Sequence, residues 1–216
     1  MNVNVIVQNE PIKVYKGGLR SDYVFEYLNS NNYSFVSSNI YGLIGHYGSG
    51  NWALSQIIAG RTKKHKTQIY VDGNNVSYKD LRNMCCYIGY EHNIGYLSFA
   101  RNHTLKATIE QGIIKTNNNI DTVESIAEEF ELSYDRIDRK FKFLGNEHWR
   151  ASLAIGQAWQ KRIYCAPFLD GKNWGSYYSI QLEKWLKLLK QKNSIVILPV
   201  SDEECIKSIA DKLYYF

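Results

Sequence analysis

The stretch "YGLIGHYGSGNWALSQIIAGR", residues 41–61, combines a short apolar run, a glycine-rich turn and a helical pattern. Tyr41–Ile44 is largely apolar and predicts a buried strand. Gly45–Gly50 contains three glycines, and Ala53–Ala59 carries apolar residues at helical spacing. The predicted order of strand, turn and helix is the one that surrounds a phosphate-binding loop.

The turn is close to the phosphate-binding consensus G-x-x-x-x-G-K-[ST], but it departs from it at the two positions whose side chains contact the phosphates and Mg²⁺. In the consensus, the lysine reaches the β- and γ-phosphates and the hydroxyl ligates Mg²⁺. Here Gly45 and Gly50 match, whereas Asn51 and Trp52 stand at the lysine and the hydroxyl. The sequence therefore predicts the shape of the loop and leaves open whether it binds a nucleotide.

Length and charge limit the classes of partner. The chain has 216 residues, which suits one domain, or one domain with an inserted lobe. Its net charge of +5 is compatible with an acidic partner, such as nucleic acid or an anionic membrane surface. The densest basic run, Arg61–Lys66, is typical of a solvated loop, and no nucleic-acid-binding motif accompanies it. Nucleic acid is therefore not expected as a partner.

The lack of a signal peptide and the pattern of the cysteines both indicate a cytoplasmic protein. Met1–Glu10 lacks the basic start and long apolar stretch of a signal peptide, and no apolar run approaches the roughly 18 residues of a membrane span. The four cysteines show neither a C-x-x-C pair nor metal-ligand spacing with histidine. We expect reduced, structural cysteines in a cytoplasmic protein.

Strand-like and helical segments predict an α/β fold. Strands are predicted at Val3–Val7, Tyr33–Ser38, Met84–Tyr90, 162–169 and 194–200, with a hairpin at Gln68–Ser77. Helices are predicted at 104–114, 121–132, 151–159 and 179–192, and a helix followed by a strand at 202–216. In the second helix, Asp121 fits an N-cap with Glu124 as its capping-box partner. The alternation in the second half predicts a parallel sheet covered by helices, and the first half predicts antiparallel hairpins.

In order and spacing, these segments resemble the nucleotide-binding domain of ABC transporters, and the resemblance covers almost the whole chain. Residues 40–61 are similar to the family's phosphate-binding segment, and "QIYVDGNNVS" (68–77) is similar to the hairpin that follows it. "WRASLAIGQA" (149–158) resembles the helix after the signature motif, and "SDEECIKSIADKLYYF" (201–216) resembles the end of the family's fold.

The resemblance implies a P-loop NTPase-like fold. In that fold a mixed sheet, an antiparallel β subdomain and a helical lobe form a single unit. The unit is expected to span residues 1–216, with the helical lobe at 91–150.

The resemblance also assigns the nucleotide-contacting positions. The loop positions that match the family are Gly45, Gly48, Ser49 and Gly50. Asn51 replaces the lysine, and Trp52 puts an indole where the metal and β-phosphate would sit. Tyr15 lies where the family's adenine-stacking aromatic tends to lie, although a plain packing role stays open. ATP binding also stays open, because backbone N–H groups at a helix N-terminus can face an anion without a lysine.

The positions that the resemblance assigns to catalysis hold residues of the wrong chemistry. Pro167 stands at the metal-orienting aspartate, Phe168 at the catalytic glutamate and Ser201 at the switch histidine. In "FLGNE" (143–147), which aligns with the signature motif, Leu144 replaces the serine that bonds the γ-phosphate. We expect no catalytic residue, no metal ion and no hydrolysis by the family mechanism.

The family's D-loop and glutamine-loop positions are also changed. In addition, the alignment predicts one aromatic contact. Trp174 falls about where the D-loop aspartate would be, and Glu91 and Asn93 are the nearest polar residues to the glutamine loop. Trp52 is expected to pack against Phe168, which should end a parallel strand adjacent to the strand of the loop.

The resemblance implies a subunit that docks a membrane permease, a second ABC ATPase subunit, or both, at the inner face of the cell membrane. The docking region would be Ile88–Phe143, which is aromatic and basic in part. One alternative is an ATPase subunit that is active only in an asymmetric pair and drives export. Another is a soluble scaffold or nucleic-acid-associated protein that retains the fold. A homodimer also stays open.

Overall fold

The computed structural model describes residues 1–15, 23–63, 65–89, 103–170 and 179–216. The chain divides into two compact units. The first unit comprises Met1–Cys85 and Arg162–Phe216, and the second comprises Cys86–Lys161.

The described strands and helices follow the alternation seen in the sequence. The strands are β1 (Asn2–Val7), β2 (Glu10–Tyr15), β3 (Tyr23–Leu28), β4 (Asn31–Val36), β5 (Asn39–Ile44), β6 (Gln68–Val71), β7 (Asn74–Asn75), β8 (Cys85–Tyr87), β9 (Ile163–Cys165), β10 (Ile195–Val200) and β11 (Lys212–Tyr215). The helices are α1 (Asn51–Ile58), α2 (Tyr78–Met84), α3 (Leu105–Lys115), α4 (Val123–Glu129), α5 (Tyr134–Ile137), α6 (His148–Ala158) and α7 (Ser179–Gln191). Within the described ranges, no helix is both long and apolar enough to cross a membrane.

A five-stranded sheet has the order β11–β5–β10–β9–β8, and the boundary between the two units falls within β8. The pairs β11–β5, β5–β10 and β10–β9 are parallel. Every residue of β10 is buried, which is why this strand reads as a continuous apolar run instead of an alternating one. Parallel pairing brings the carboxyl ends of β5, β10 and β9 to one edge of the sheet, where the glycine-rich loop begins.

Antiparallel strands complete the first unit. The strands β4, β1, β6 and β7 form a four-stranded sheet in that order, and β2 pairs with β3 in a separate hairpin. In β3 the side chains alternate between buried and exposed toward its carboxyl end, and Glu26 and Leu28 are the buried ones. The predicted combination of a parallel sheet, antiparallel strands and helices is confirmed.

The second unit is largely helical, and α3 packs closely against the end of α6. A Cβ atom placed on Gly112 of α3 would lie 2.6 Å from Cδ1 of Trp159, which follows α6. The Trp159 indole N–H donates to the Thr108 carbonyl over 3.2 Å. Glycine thus allows α3 to lie directly against the tryptophan.

Most predicted elements are confirmed, and three details were wrong. The N-cap of α4 is Thr122 with Ser125 as its capping-box partner, instead of Asp121 with Glu124. The predicted strand at Met84–Tyr90 is shorter, because Met84 ends α2. The helix predicted after residue 202 is a single 3₁₀ turn, Glu203–Cys205, followed by Ile206 at φ −128°, which is not helical.

Candidate functional site

The glycine-rich loop connects the end of β5 to the start of α1. The backbone N–H of Gly45 donates to the carbonyl of Val200 over 3.0 Å, which places the start of the loop beside the end of β10. Gly48 and Gly50 have φ values of 95° and 103°. Residues with a Cβ atom rarely adopt this region, so the loop needs glycine at both positions.

Asn51 forms structural hydrogen bonds at the position of the consensus lysine. Its side chain is fully buried, and its Nδ2 lies 3.0 Å from the Leu43 carbonyl and 3.1 Å from the Gly45 carbonyl. Its Oδ1 accepts the backbone N–H of Trp52 over 2.8 Å. The amide group therefore ties the first turn of α1 to the end of the sheet, and no positive charge stands there.

A carboxylate that the sequence analysis missed lies against the backbone of the loop. Glu26 of β3 accepts the N–H of Gly48 over 3.1 Å at Oε1 and the N–H of Ala53 over 2.7 Å at Oε2. Burial raises the pKa of Glu26, while hydrogen bonds from Ala53, Gly48, Trp52 and Gly50 oppose that rise. Only 1% of the residue is exposed. These backbone N–H groups are of the kind that hold phosphates in phosphate-binding loops.

The backbone of β3 also packs closely against the loop. The N–H of Tyr27 donates to the Gly48 carbonyl over 3.3 Å. A Cβ atom on Gly50 would lie 2.7 Å from the Tyr27 carbonyl oxygen and 3.1 Å from Cδ2 of Leu28. Gly50 is therefore required by close approach as well as by its backbone angle.

Three aromatic rings meet beside the start of α1. The buried Trp52 ring lies with its centroid 6.2 Å from that of Phe168 and 6.0 Å from that of Tyr47. Tyr47 meets Phe168 edge-on at 5.8 Å and is half exposed. The predicted contact between Trp52 and Phe168 is confirmed, and Tyr47 joins it.

Phe168 follows β9, and here the predicted position was partly wrong. The strand β9 is parallel, but β10 separates it from β5, so the two strands are not adjacent. Phe168 still reaches the loop because the chain continues along β10: the Leu169 N–H donates to the Pro199 carbonyl over 2.9 Å. Pro167 and Phe168 follow this end of β9, and neither side chain can ligate a cation or activate a water.

No family model matches the chain, and no curated protein does. Solved structures do match. The ATP-binding subunit of an ABC transporter is 15% identical, with 100% of this chain and 86% of that chain covered and a TM-score of 0.67. An ATP-binding cassette, solved as a dimer in a post-hydrolysis state with ADP and Pi, is 17% identical over 98% of this chain and 94% of that chain, with a TM-score of 0.66.

A third similar structure is CbiO1 from Clostridium perfringens, part of the ABC transporter complex CbiONQ. It is 14% identical over 96% of this chain and 85% of that chain, with a TM-score of 0.61. The chain has the fold of an ABC transporter ATP-binding cassette. The loop from Gly45 to Gly50 connects β5 to α1, and Glu26 lies against its backbone.

Residues 143–147, which the sequence analysis aligned with the signature motif, make buried contacts within the second unit. Leu144 is fully buried, and Glu147 is buried beside two arginines, with Oε1 3.1 Å from Arg150 and 3.6 Å from Arg136. The Ser133 hydroxyl donates to the same oxygen over 2.5 Å. These contacts hold the segment in place, and the buried leucine offers no donor to a phosphate.

Of the remaining predicted site residues, Ser49 lies within the loop and Tyr15 is described only by its backbone. Ser49 has a buried hydroxyl without a hydrogen-bond partner among the described residues, and its Oγ would lie 2.3 Å from a Cβ atom on Gly45. Tyr15 ends β2 opposite Tyr23, and its side chain lies outside the described part of the structure. Glu91, Asn93 and Trp174 also lie outside the described residues.

The cassette loop does not fit a magnesium-nucleotide complex. Trp52 presents an indole packed on Phe168 where a hydroxyl would ligate the metal, and Glu26 occupies backbone donors that phosphate oxygens would need. Within the described ranges, no group of three or more His, Cys, Asp and Glu residues is placed to hold a metal ion.

Proposed function

We propose that this chain is a cassette-fold subunit that works by docking a membrane permease, and that it does not turn over ATP. The observation that carries the proposal is the contact of Phe168 with Trp52 at the loop, with a centroid distance of 6.2 Å. In a working site, these two positions would hold a carboxylate and a metal-binding hydroxyl. An apolar aromatic pair supplies neither.

The energetics of phosphoryl transfer support this proposal. The reaction receives little covalent help from the protein and depends on positioned charges and donors. Losing one such group commonly costs about 10²-fold in rate or more. In this chain Asn51, Trp52, Pro167, Phe168 and Ser201 replace five groups together.

A candidate docking surface is present in the second unit. We define it as the segment Tyr134–Phe143, in which Tyr134 is 75% exposed and Phe143 is 59% exposed. Four basic and two acidic side chains lie between them, and Lys142 Nζ lies 4.8 Å from the centroid of the Phe143 ring. Exposed aromatic and basic side chains suit contact with a permease segment close to an anionic membrane surface. The subunit would then be cytoplasmic and peripheral to the inner face of the membrane.

Phosphate release tests the catalytic part of the proposal. The purified chain, incubated with ATP and Mg²⁺, is expected to release phosphate at the background rate. Gly50→Asp serves as the control, because a carboxylate there would disrupt any loop-dependent turnover. A rate within tenfold of an ordinary ABC ATPase that Gly50→Asp abolishes would contradict the proposal.

Co-purification tests the docking part. Tagged chain is isolated from detergent-solubilised membranes, and the recovered permease is quantified. The variant Phe143→Ser is expected to reduce recovery at least about fivefold, because removal of a central aromatic contact that is worth about 1 kcal/mol weakens binding by that factor. Phe25→Ser is the matched control, since Phe25 is 62% exposed and belongs to the other unit. Equal recovery with both variants would contradict the docking surface.

A second candidate is a subunit that completes an active site only with a catalytic cassette partner. The dimeric state of the similar ATP-binding cassette favours it. ATP turnover by a reconstituted pair, absent from either subunit alone, would support this function over pure docking. Recovery of nucleic acid with the chain would favour a scaffold role instead.

A further inference from the structure

We propose that the Glu26 carboxylate is an internal substitute for phosphate: it occupies the backbone donors of the glycine-rich loop and closes the loop to external anions. The inference deepens the proposed function, because it explains how the loop is closed. It does not depend on docking.

Both carboxylate oxygens take part in the contact. Oε1 accepts from Gly48 in the loop, and Oε2 accepts from Ala53 in the first turn of α1. One side chain thus bridges the loop and the N-terminus of α1, where the helix dipole favours negative charge.

The compensation for this buried charge comes from the backbone. Among the described residues, Glu26 has no ion pair with lysine, arginine or histidine. A carboxylate that is 1% exposed is costly to bury unless donors replace its water. The loop and α1 supply those donors, as they would for a bound phosphate.

The strand that carries Glu26 is fixed to the loop. The hydrogen bond from Tyr27 to the Gly48 carbonyl flanks the carboxylate contact, and Gly50 lies against the Tyr27 carbonyl and Leu28. An external anion would therefore have to displace both the carboxylate and the adjoining backbone of β3.

Glu10 provides a matched control, because it is, among the described residues, a second buried glutamate of the first unit that accepts backbone N–H groups. Its Oε1 accepts the backbone N–H of Lys66 over 2.7 Å and the backbone N–H of Thr67 over 3.1 Å. Neither donor belongs to the start of a helix. Removing Glu10 is expected to weaken the fold without creating a phosphate-like site.

The test is rescue of stability by an external anion. Glu26→Ala is expected to unfold at a lower temperature than the parent, and millimolar pyrophosphate is expected to raise its midpoint saturably by about 4 °C. The parent and Glu10→Ala are expected to gain nothing beyond what potassium chloride of the same ionic strength gives. Equal gains in Glu26→Ala and Glu10→Ala, or no gain in Glu26→Ala, would overturn the proposal.

Calorimetric titration with pyrophosphate provides the second measurement. It uses Glu26→Gln, so it tests the proposal even where Glu26→Ala fails to fold. Glu26→Gln keeps the shape of the side chain and removes its charge, so it is expected to bind pyrophosphate at least tenfold more tightly than the parent. Equal affinity would overturn the inference while leaving the docking function untouched. Failure of the docking test would contradict the proposed function and leave this inference untouched, whereas ATP turnover by the parent would contradict both.

Discussion

The side-chain amide of Asn51 donates to the carbonyl oxygen of Val200 over 3.2 Å, and it thereby links the start of α1 to the end of β10. The same nitrogen contacts the carbonyls of Leu43 and Gly45 at the end of β5. The position that carries a lysine in phosphate-binding loops is thus used here to hold the sheet edge and helix together.

Replacing this amide with a carboxylate should reveal its structural role. Asn51→Asp keeps the acceptor for Trp52 but turns the donor into an oxygen that faces three carbonyl groups. We expect a loss of about 3 kcal/mol in the free energy of unfolding, since buried unpaired polar groups cost about 1–3 kcal/mol each. Urea denaturation at neutral pH measures it. The loss should shrink in acid, where a protonated carboxyl can donate again.

Asn39→Asp is the control for that variant. Asn39 donates to the carbonyls of Val36 and Ser37 over 3.2 and 3.0 Å, but it is only half-buried. Solvent can replace its lost bonds, so the loss should stay below about 1 kcal/mol. A similar loss in unfolding free energy for both variants would show that the burial of Asn51 does not matter for its hydrogen bonds.

The contact of Trp52 with Phe168 should appear as a coupling energy. Trp52→Ala is expected to cost about 3–5 kcal/mol, because it leaves a large cavity beside the loop. The double variant with Phe168→Ala should lose less than the sum of the single losses, by about 0.5–1.5 kcal/mol. A double-mutant cycle in denaturation experiments measures this difference.

Phe35→Leu provides the reference for the cycle. Phe35 contacts the rings of Tyr41 and Tyr214, whereas Trp52 contacts those of Tyr47 and Phe168. Its effect should add to that of Trp52→Ala within about 0.5 kcal/mol. If the losses in unfolding free energy of Trp52→Ala and Phe168→Ala add exactly, the contact between the two rings does not stabilise the fold.

The local pattern around the loop could be predicted because each signal was contained in one segment. The apolar run before Gly45, the glycines and the helical spacing after Ala53 determine their elements almost independently of the rest of the chain. The aromatic pair followed from aligning Phe168 with a catalytic position across from Trp52. Parallel strand order was harder, since it depends on which strand lies between β5 and β9.

Glu26 could not be assigned a role from local pattern alone. Its partners, Gly48 and Ala53, lie more than twenty residues away in sequence, so only the tertiary packing of β3 on the loop creates the contact. Alternation in "YVFEYL" places Glu26 on the same face as Leu28, and a carboxylate on the apolar face of a strand is the available signal. The shifted cap of α4 has another cause: Asp121 and Thr122 are both competent N-caps, one residue apart.

The raised pKa of Glu26 predicts a dependence of stability on pH. Its folded-state pKa lies above the ordinary value of 4.5, because burial outweighs the hydrogen bonds from the loop and α1. The folded protein therefore binds this proton more tightly than the unfolded chain. The contribution is fully present below a pH of about 4.5 and is lost as pH rises through the folded-state pKa.

Relative to Glu26→Gln, which does not titrate, the parent should gain stability as pH falls from neutral toward about 4.5. Urea denaturation of both proteins across this range measures the difference. Parallel pH profiles, or a parent that loses stability relative to the variant, would contradict the raised pKa.

Restoring the two consensus residues should fail to restore nucleotide binding as long as Glu26 remains. Asn51→Lys with Trp52→Ser supplies the missing ammonium and hydroxyl, but it leaves the carboxylate on the N–H groups of Gly48 and Ala53. The introduced lysine would pair with that carboxylate, and the loss of the buried indole should lower the unfolding temperature.

Calorimetric titration with ATP and Mg²⁺ should give no saturable binding below about 1 mM for the double variant. Adding Glu26→Ala should bring the dissociation constant down at least tenfold, because phosphate oxygens then accept the freed donors. Low-micromolar binding by the double variant, or by the parent, would show that the carboxylate does not close the loop.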